Sequence, residues 1–157
     1  MTQMVAHGVE GVRALPLGTP FGPGSPVEIT ADMVGQFADL TDDHQWIHVD
    51  AERSKRESPF GGPIAHGFLT LALIPRMMPE LLTFSGFAMT VNYGCDRVRF
   101  PAPVPVGSRV RATAAVNSVT DIPNGLQVSV EMTIAVEGAQ KPSCVAVTLI
   151  RHYSKRP

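Results

Sequence analysis

Gly67-Phe68-Leu69-Thr70-Leu71-Ala72-Leu73-Ile74-Pro75-Arg76-Met77-Met78-Pro79-Glu80-Leu81-Leu82 is the most apolar stretch of the chain. Wound at ~3.6 residues per turn, its apolar side chains point in every direction, which predicts a central helix buried nearly all round. A membrane span is the competing reading, but Pro75, Arg76, Pro79 and Glu80 interrupt the stretch well short of ~20 apolar residues. Pro75 removes a backbone donor and crowds the carbonyl four residues earlier, so it should kink or end the regular helix.

Downstream the pattern changes from helical to alternating. Phe87 to Tyr93 and Asp96 to Phe100 read as short strands, followed by the connector Pro101-Ala102-Pro103-Val104-Pro105. Val110, Ala112, Ala114 and Val116 then face one way while Arg109, Arg111, Thr113 and Asn117 face the other. Asp121-Ile122-Pro123-Asn124-Gly125 supplies a hairpin turn, after which Leu126, Val128, Val130, Met132, Ile134 and Val136 repeat at period two. Gly138 to Pro142 turns into a last strand over Ser143 to Tyr153. Long consecutive strands joined by tight turns make an antiparallel sheet, and an all-round-apolar helix needs a concave sheet to wrap it. The fold class is α+β, a curved antiparallel sheet wrapped around a long central helix.

Upstream of the helix, residues 1–26 are rich in Gly and Pro and nearly aperiodic, which reads as an irregular arm over the surface. Residues 27–157 form the single domain. Thr30 can cap a helix carrying Met33, Val34, Phe37 and Leu40, with Asp32 in the first turn where the helix dipole favours an anion. Asp50 can cap a short, charged, exposed helix over residues 51–58.

Composition narrows the partners. A chain of 157 residues, 44% apolar and 17% charged, fits one domain with a sizeable core. A net charge of −1 and the lack of a polybasic block argue against nucleic acid and an anionic membrane surface. The first residues lack a cationic lead and an unbroken apolar core, so a cytoplasmic location is expected. Cys95 and Cys144 show no metal-ligand spacing and read as reduced, packed thiols.

Chemistry concentrates in Leu40-Thr41-Asp42-Asp43-His44-Gln45-Trp46-Ile47-His48-Val49-Asp50, with a second spot at Gly61-Gly62-Pro63-Ile64-Ala65-His66-Gly67. Asp43 and His48 are five apart, so a regular helix would turn them roughly 140° away from each other. They converge only on a non-helical segment, where a carboxylate and an imidazole can hold a water between them. The plainer alternative is an aspartate satisfying its own turn. Gly67 starts the core helix, so its N–H is free to bind an oxyanion, and a glycine lets a substrate oxygen approach closely. These parts suit addition of water to a double bond conjugated to a thioester, or hydrolysis of the thioester. His44 and His48 imitate the His-Glu-x-x-His zinc pattern, but Gln45 stands where the glutamate is needed, and no metal is expected. His66 reads as a structural histidine holding the turn, Trp46 as packing, and Met77 with Met78 as core filling rather than the lining of an acyl tunnel.

The run Asp43-His44-Gln45-Trp46-Ile47-His48, with Asp50 and then Ile64-Ala65-His66-Gly67, resembles the motif of the MaoC-like (R)-specific enoyl-CoA hydratases, the hydratase 2 family, especially mycobacterial and NodN-like members. The resemblance covers residues 27–152. It implies the hotdog fold, Asp43 and His48 as the water-activating pair and Gly67 as the oxyanion donor. It also implies an enoyl-CoA substrate, no cofactor beyond that thioester, a homodimer, and an (R)-3-hydroxyacyl-CoA product. The commoner form of the motif has Gly, Asn and Pro where this chain has Asp42, Gln45 and Trp46. A CoA substrate needs cations for its phosphates, and Arg97 and Arg99 beside the proline connector are the candidates. A thioesterase on the same fold, or a non-catalytic acyl-CoA binding module, are the alternative readings.

Overall fold

The sheet is ordered β2-β5-β6-β7-β4 and is antiparallel throughout. Its strands are β2 (Val27–Glu28), β4 (Met89–Arg99), β5 (Arg109–Ile122), β6 (Gly125–Val136) and β7 (Cys144–Tyr153) in the computed structural model, which describes residues 3–154. Period-two alternation sets the register. Val110, Ala112, Ala114 and Val116 of β5 are at most 3% exposed, as are Leu126, Val128, Val130, Met132 and Ile134 of β6. Burying each large aliphatic side chain contributes roughly 1.5–3 kcal/mol relative to leaving it in water. The β5–β6 hairpin closes over Pro123 and Asn124, the latter at φ 62. Gly125 follows against the His152 carbonyl, 2.0 Å from where a Cβ would sit, so no side chain fits there.

The central helix lies against this sheet in two pieces, α5 (Gly67–Ala72) and α6 (Ile74–Leu81), broken at Leu73 with Pro75 in the first turn of the second. Proline fits there because the first turn has no partner for its missing N–H. Burial of this helix is not all round. Leu69, Thr70, Leu73, Ile74, Met77, Met78 and Leu81 are buried, whereas Phe68 is 68% exposed and Ala72, Pro75, Arg76, Pro79 and Glu80 are open. Arg76 and Glu80 supply a polar edge, and Phe68, Ala72, Pro75 and Pro79 form an uncovered stripe.

Helix α2 (Ala31–Thr41) starts as expected, with Thr30 Oγ1 accepting the Met33 N–H at 3.2 Å. Its buried face carries Val34 and Ala38, while Leu40 is 83% exposed. Helix α3 (Trp46–Val49) is a single turn, and α4 (Ala51–Glu57) is capped by Asp50, which accepts the Arg53 N–H at 2.9 Å. The Arg53 guanidinium lies 4.4 Å from the Trp46 ring centroid.

Other expectations are corrected. The N-terminal arm is not irregular throughout, since Met4–His7 forms β1 and Gly8–Arg13 forms α1, with Ala6 and Val12 fully buried. Strand β1 pairs in parallel with β3 (Leu82–Ser85), where the apolar run was read as helix up to Leu82. The two short strands before the connector are one, β4. Register shifts at Asn92/Gly94 and Cys95/Arg97 break its alternation. Cys144 is a buried thiol but Cys95 is exposed. No helix among the described residues is long and apolar enough to cross a membrane.

Candidate active site

The two chemical spots come together because the segment after α4 is tied on both sides. Ile64 N–H donates to the Ile47 carbonyl at 3.0 Å, while Ala65 N–H donates to Val104 at 2.8 Å and Val106 N–H to Pro63 at 3.0 Å. This double anchoring stitches α3, the start of α5 and the proline connector into one corner.

Asp42 ends α2 in the left-handed conformation, at φ 58, which turns the chain so that Asp43, His44 and Gln45 lie outside any helix. Asp43 and His48 then converge, as the five-residue offset required. One carboxylate oxygen of Asp43 and one ring nitrogen each of His48 and His66 lie within 4.8 Å of one another. Asp43 is exposed, and its carboxylate accepts one long turn bond from Gln45 N–H at 3.4 Å, so the plain turn role is present but weak.

His48 is oriented from behind. Its Nδ1 is 2.7 Å from the Ile64 carbonyl, which can only accept, so Nδ1 carries the proton and Nε2 is the bare nitrogen. Partial burial lowers the His48 pKa, helped by the neighbouring His66 and opposed by the Ile64 hydrogen bond and by Asp43. The ring is therefore a neutral base at ordinary pH. His66 is 3% exposed, stacks on His48 with ring centroids 3.8 Å apart, and bonds the Asp43 carbonyl through Nε2 at 3.0 Å.

Gly67 opens α5, where no carbonyl one turn earlier in the helix can take its N–H. With His48, Phe60, Thr70, Phe100 and Ser143 it lines a cavity of about 300 Å³. Asp43 does not line it and reaches the site through its closeness to the two rings. The glycine also has a packing reason. A Cβ at Gly67 would lie 2.8 Å from the Phe100 ring, so the absent side chain makes room for Phe100.

His44 stands apart. Its Nε2 is 2.9 Å from Asp39 and its Nδ1 3.6 Å from Asp42, and the hydrogen bond to Asp39, with the surrounding carboxylates, raises its pKa. The helical His44/His48 pair does not form, and the closest histidine to His48 is His66. Of the arginines on strands, Arg111 pairs with Glu137 at 2.5 Å and Arg109 with the same carboxylate at 3.4 Å. Arg97 and Arg99 are exposed and form no ion pair among the described residues.

Comparisons with known proteins identify the family. The MaoC like domain family matches residues 13–138. The chain is 52% identical over 136 residues to the 3-hydroxyacyl-thioester dehydratase Z of Mycobacterium tuberculosis, covering 86% of this chain and 89% of that protein. It is 41% identical over 137 residues to nodulation protein N of Rhizobium meliloti, covering 83% and 82%. The solved R-hydratase PhaJ1 of Pseudomonas aeruginosa has the same fold, with a TM-score of 0.68 at 22% identity over 91% of this chain and 85% of that one. The chain belongs to the MaoC-like dehydratase family, hydro-lyases built on the hotdog fold.

Proposed function

We propose that this protein interconverts trans-2-enoyl-CoA and (R)-3-hydroxyacyl-CoA by adding or removing water, with residues 27–157 as the hotdog domain. One observation carries the reading: His48, with its Nδ1 held by the Ile64 carbonyl and its Nε2 left bare, lines the same cavity as Gly67, and a ring nitrogen of His48 lies within 4.8 Å of an Asp43 carboxylate oxygen. Two hydrogen bonds of about 2.8 Å reach across a gap of up to about 5.6 Å, so a single water fits between the carboxylate and the imidazole.

In the hydration direction His48 Nε2 takes a proton from that water while Asp43 accepts its other hydrogen and orients it. The oxygen forms a bond to C3, and the C2–C3 π electrons move towards the thioester carbonyl, whose developing charge the Gly67 N–H stabilises. Protonation of C2 from the imidazolium restores His48 and leaves the 3-hydroxy thioester. The relative named a 3-hydroxyacyl-thioester dehydratase supports the thioester class. For the CoA moiety the support is the pair of exposed cations Arg97 and Arg99, which form no ion pair among the described residues, the second adjacent to Phe100 of the cavity wall.

A homodimer belongs to the same proposal. Strand β4 lies at the end of the sheet with one edge unpaired among the described residues, and Met89, Val91 and Tyr93 on it are 36%, 37% and 55% exposed. A long open edge beside an uncovered apolar helix stripe suits pairing with a second copy. Light scattering on the eluting protein should give twice the chain mass, and a monomer would contradict it.

The activity is tested with crotonyl-CoA, following enoyl-thioester absorbance alongside a free-thiol reagent. Loss of absorbance without thiol release is expected. Thiol release would identify a thioesterase, and binding without either change an acyl-CoA carrier.

A further inference from the structure

Neither member of the water-activating pair is held in place by its own element. Asp43 sits in an exposed turn with a single 3.4 Å side-chain bond, and α3, which carries His48, is four residues long with no side-chain cap. Such a short helix has little stability of its own. His66 touches both. Its Nε2 lies 3.0 Å from the Asp43 carbonyl, its ring stacks on His48 at 3.8 Å with 29° between the planes, and the next residue is Gly67. Phe37 of α2 packs against the same ring at 5.1 Å.

The chemistry of the ring explains why a histidine is needed. A carbonyl only accepts, so Nε2 carries the proton and Nδ1 is bare. That Nδ1 is buried and has no partner among the described residues. A buried polar atom without a partner is costly, and an apolar side chain would fill the space without that cost. The cost is tolerated for what the opposite nitrogen does, which is to donate to Asp43.

We propose that His66 is a positioning residue, whose hydrogen bond and stacked face fix the Asp43 turn and the His48 ring relative to each other and to the Gly67 N–H. The kinetic consequence rests on the hydration reading above, whereas the geometric one does not. Misplacing a catalytic group by about 1 Å costs on the order of 10²-fold in rate.

Two substitutions separate the contacts: His66→Phe keeps an aromatic face and loses the donor, and His66→Gln keeps an N–H donor and loses the stack. With crotonyl-CoA, kcat should fall about 10²-fold in His66→Phe and less in His66→Gln, with KM within about threefold of wild type in both. Asp43→Asn added to His66→Phe should cost less than the product of the two single effects, because the groups act as a unit. The ¹⁵N resonances of the His48 ring should shift in His66→Phe relative to wild type. A folded His66→Phe protein with kcat within about threefold of wild type would overturn the proposal. So would unchanged His48 resonances in a folded variant. If wild type does not hydrate crotonyl-CoA, the hydration reading fails, and the His48 resonances alone decide the role of His66.

Discussion

Two of the cavities beside the central helix differ in size and in the groups they offer, and the candidate site lines the smaller of the two. A cavity of about 490 Å³ runs between the helix and strands β4 and β7, lined by Leu71, Ile74, Met78, Phe84 and Leu149 among others. Its one titratable side chain is Cys95, whose pKa is raised by partial desolvation of an otherwise exposed residue and by Asp96, so less of the thiol is thiolate. The smaller cavity, of about 300 Å³, holds His48 and Gly67. The candidate site is set apart by an oriented lone pair on His48 and a free N–H on Gly67, not by volume. Volume follows an open sheet edge and an uncovered helix stripe.

The largest expected effect separates the two cavities. Asp43→Asn and His48→Gln should each lower kcat by roughly 10²–10⁴-fold with little change in Tm, whereas Cys95→Ala in the larger cavity should leave kcat within about twofold. Equal losses in both cavities, measured with crotonyl-CoA, would erase the distinction. Gly67→Ala comes next. Its Cβ would meet the Phe100 ring at 2.8 Å, so kcat/KM should drop about 10²-fold. Phe100→Ala in the same chain should recover part of the loss if the clash is the cause.

A smaller effect concerns the thiol end of the substrate. Arg97→Ala and Arg99→Ala should raise KM for crotonyl-CoA by about 3- to 10-fold while leaving KM for the crotonyl thioester of N-acetylcysteamine, which lacks the phosphates, unchanged.

The smallest effect uses the other buried histidine as a foil to His66. His152 is fully buried, its Nδ1 lies 2.9 Å from Thr90 Oγ1, and Phe84 and Phe87 pack on its ring at 4.1 and 4.8 Å. Burial lowers its pKa to about 4. The unfolded chain, with an ordinary histidine pKa of about 6.5, binds that proton first, so stability is full above this value and falls as pH drops from about 6.5 towards 4. His152→Phe should flatten this part of the Tm-against-pH curve without altering kcat, and an unchanged curve would remove His152 as its cause.

Much of the frame was legible because local chemistry and tertiary structure agree. Thr30 and Asp50 cap the helices they precede, Pro75 marks the break in the central helix, and period-two alternation in β5 and β6 matches the buried face. The convergence of Asp43 and His48 was legible from their five-residue offset on a non-helical segment. What escaped depends on contacts far apart in the chain. Strand β3 hides in an apolar run whose partner, β1, lies 78 residues earlier. The stacking of His66 on His48 crosses 18 residues and two anchored turns, and no periodicity records it. The uncovered stripe on α5 and α6 reads as core because a sequence reports that a surface is apolar, not which chain covers it.

On the proposed reading, the water held by Asp43 and His48 goes to C3. Mass spectrometry of the products formed from crotonyl-CoA in ¹⁸O-water tests this most directly. Intact 3-hydroxybutyryl-CoA with the label on the C3 hydroxyl is expected, absent in Asp43→Asn and His48→Gln. Label in the carboxylate of free crotonate, with release of CoA, would contradict it.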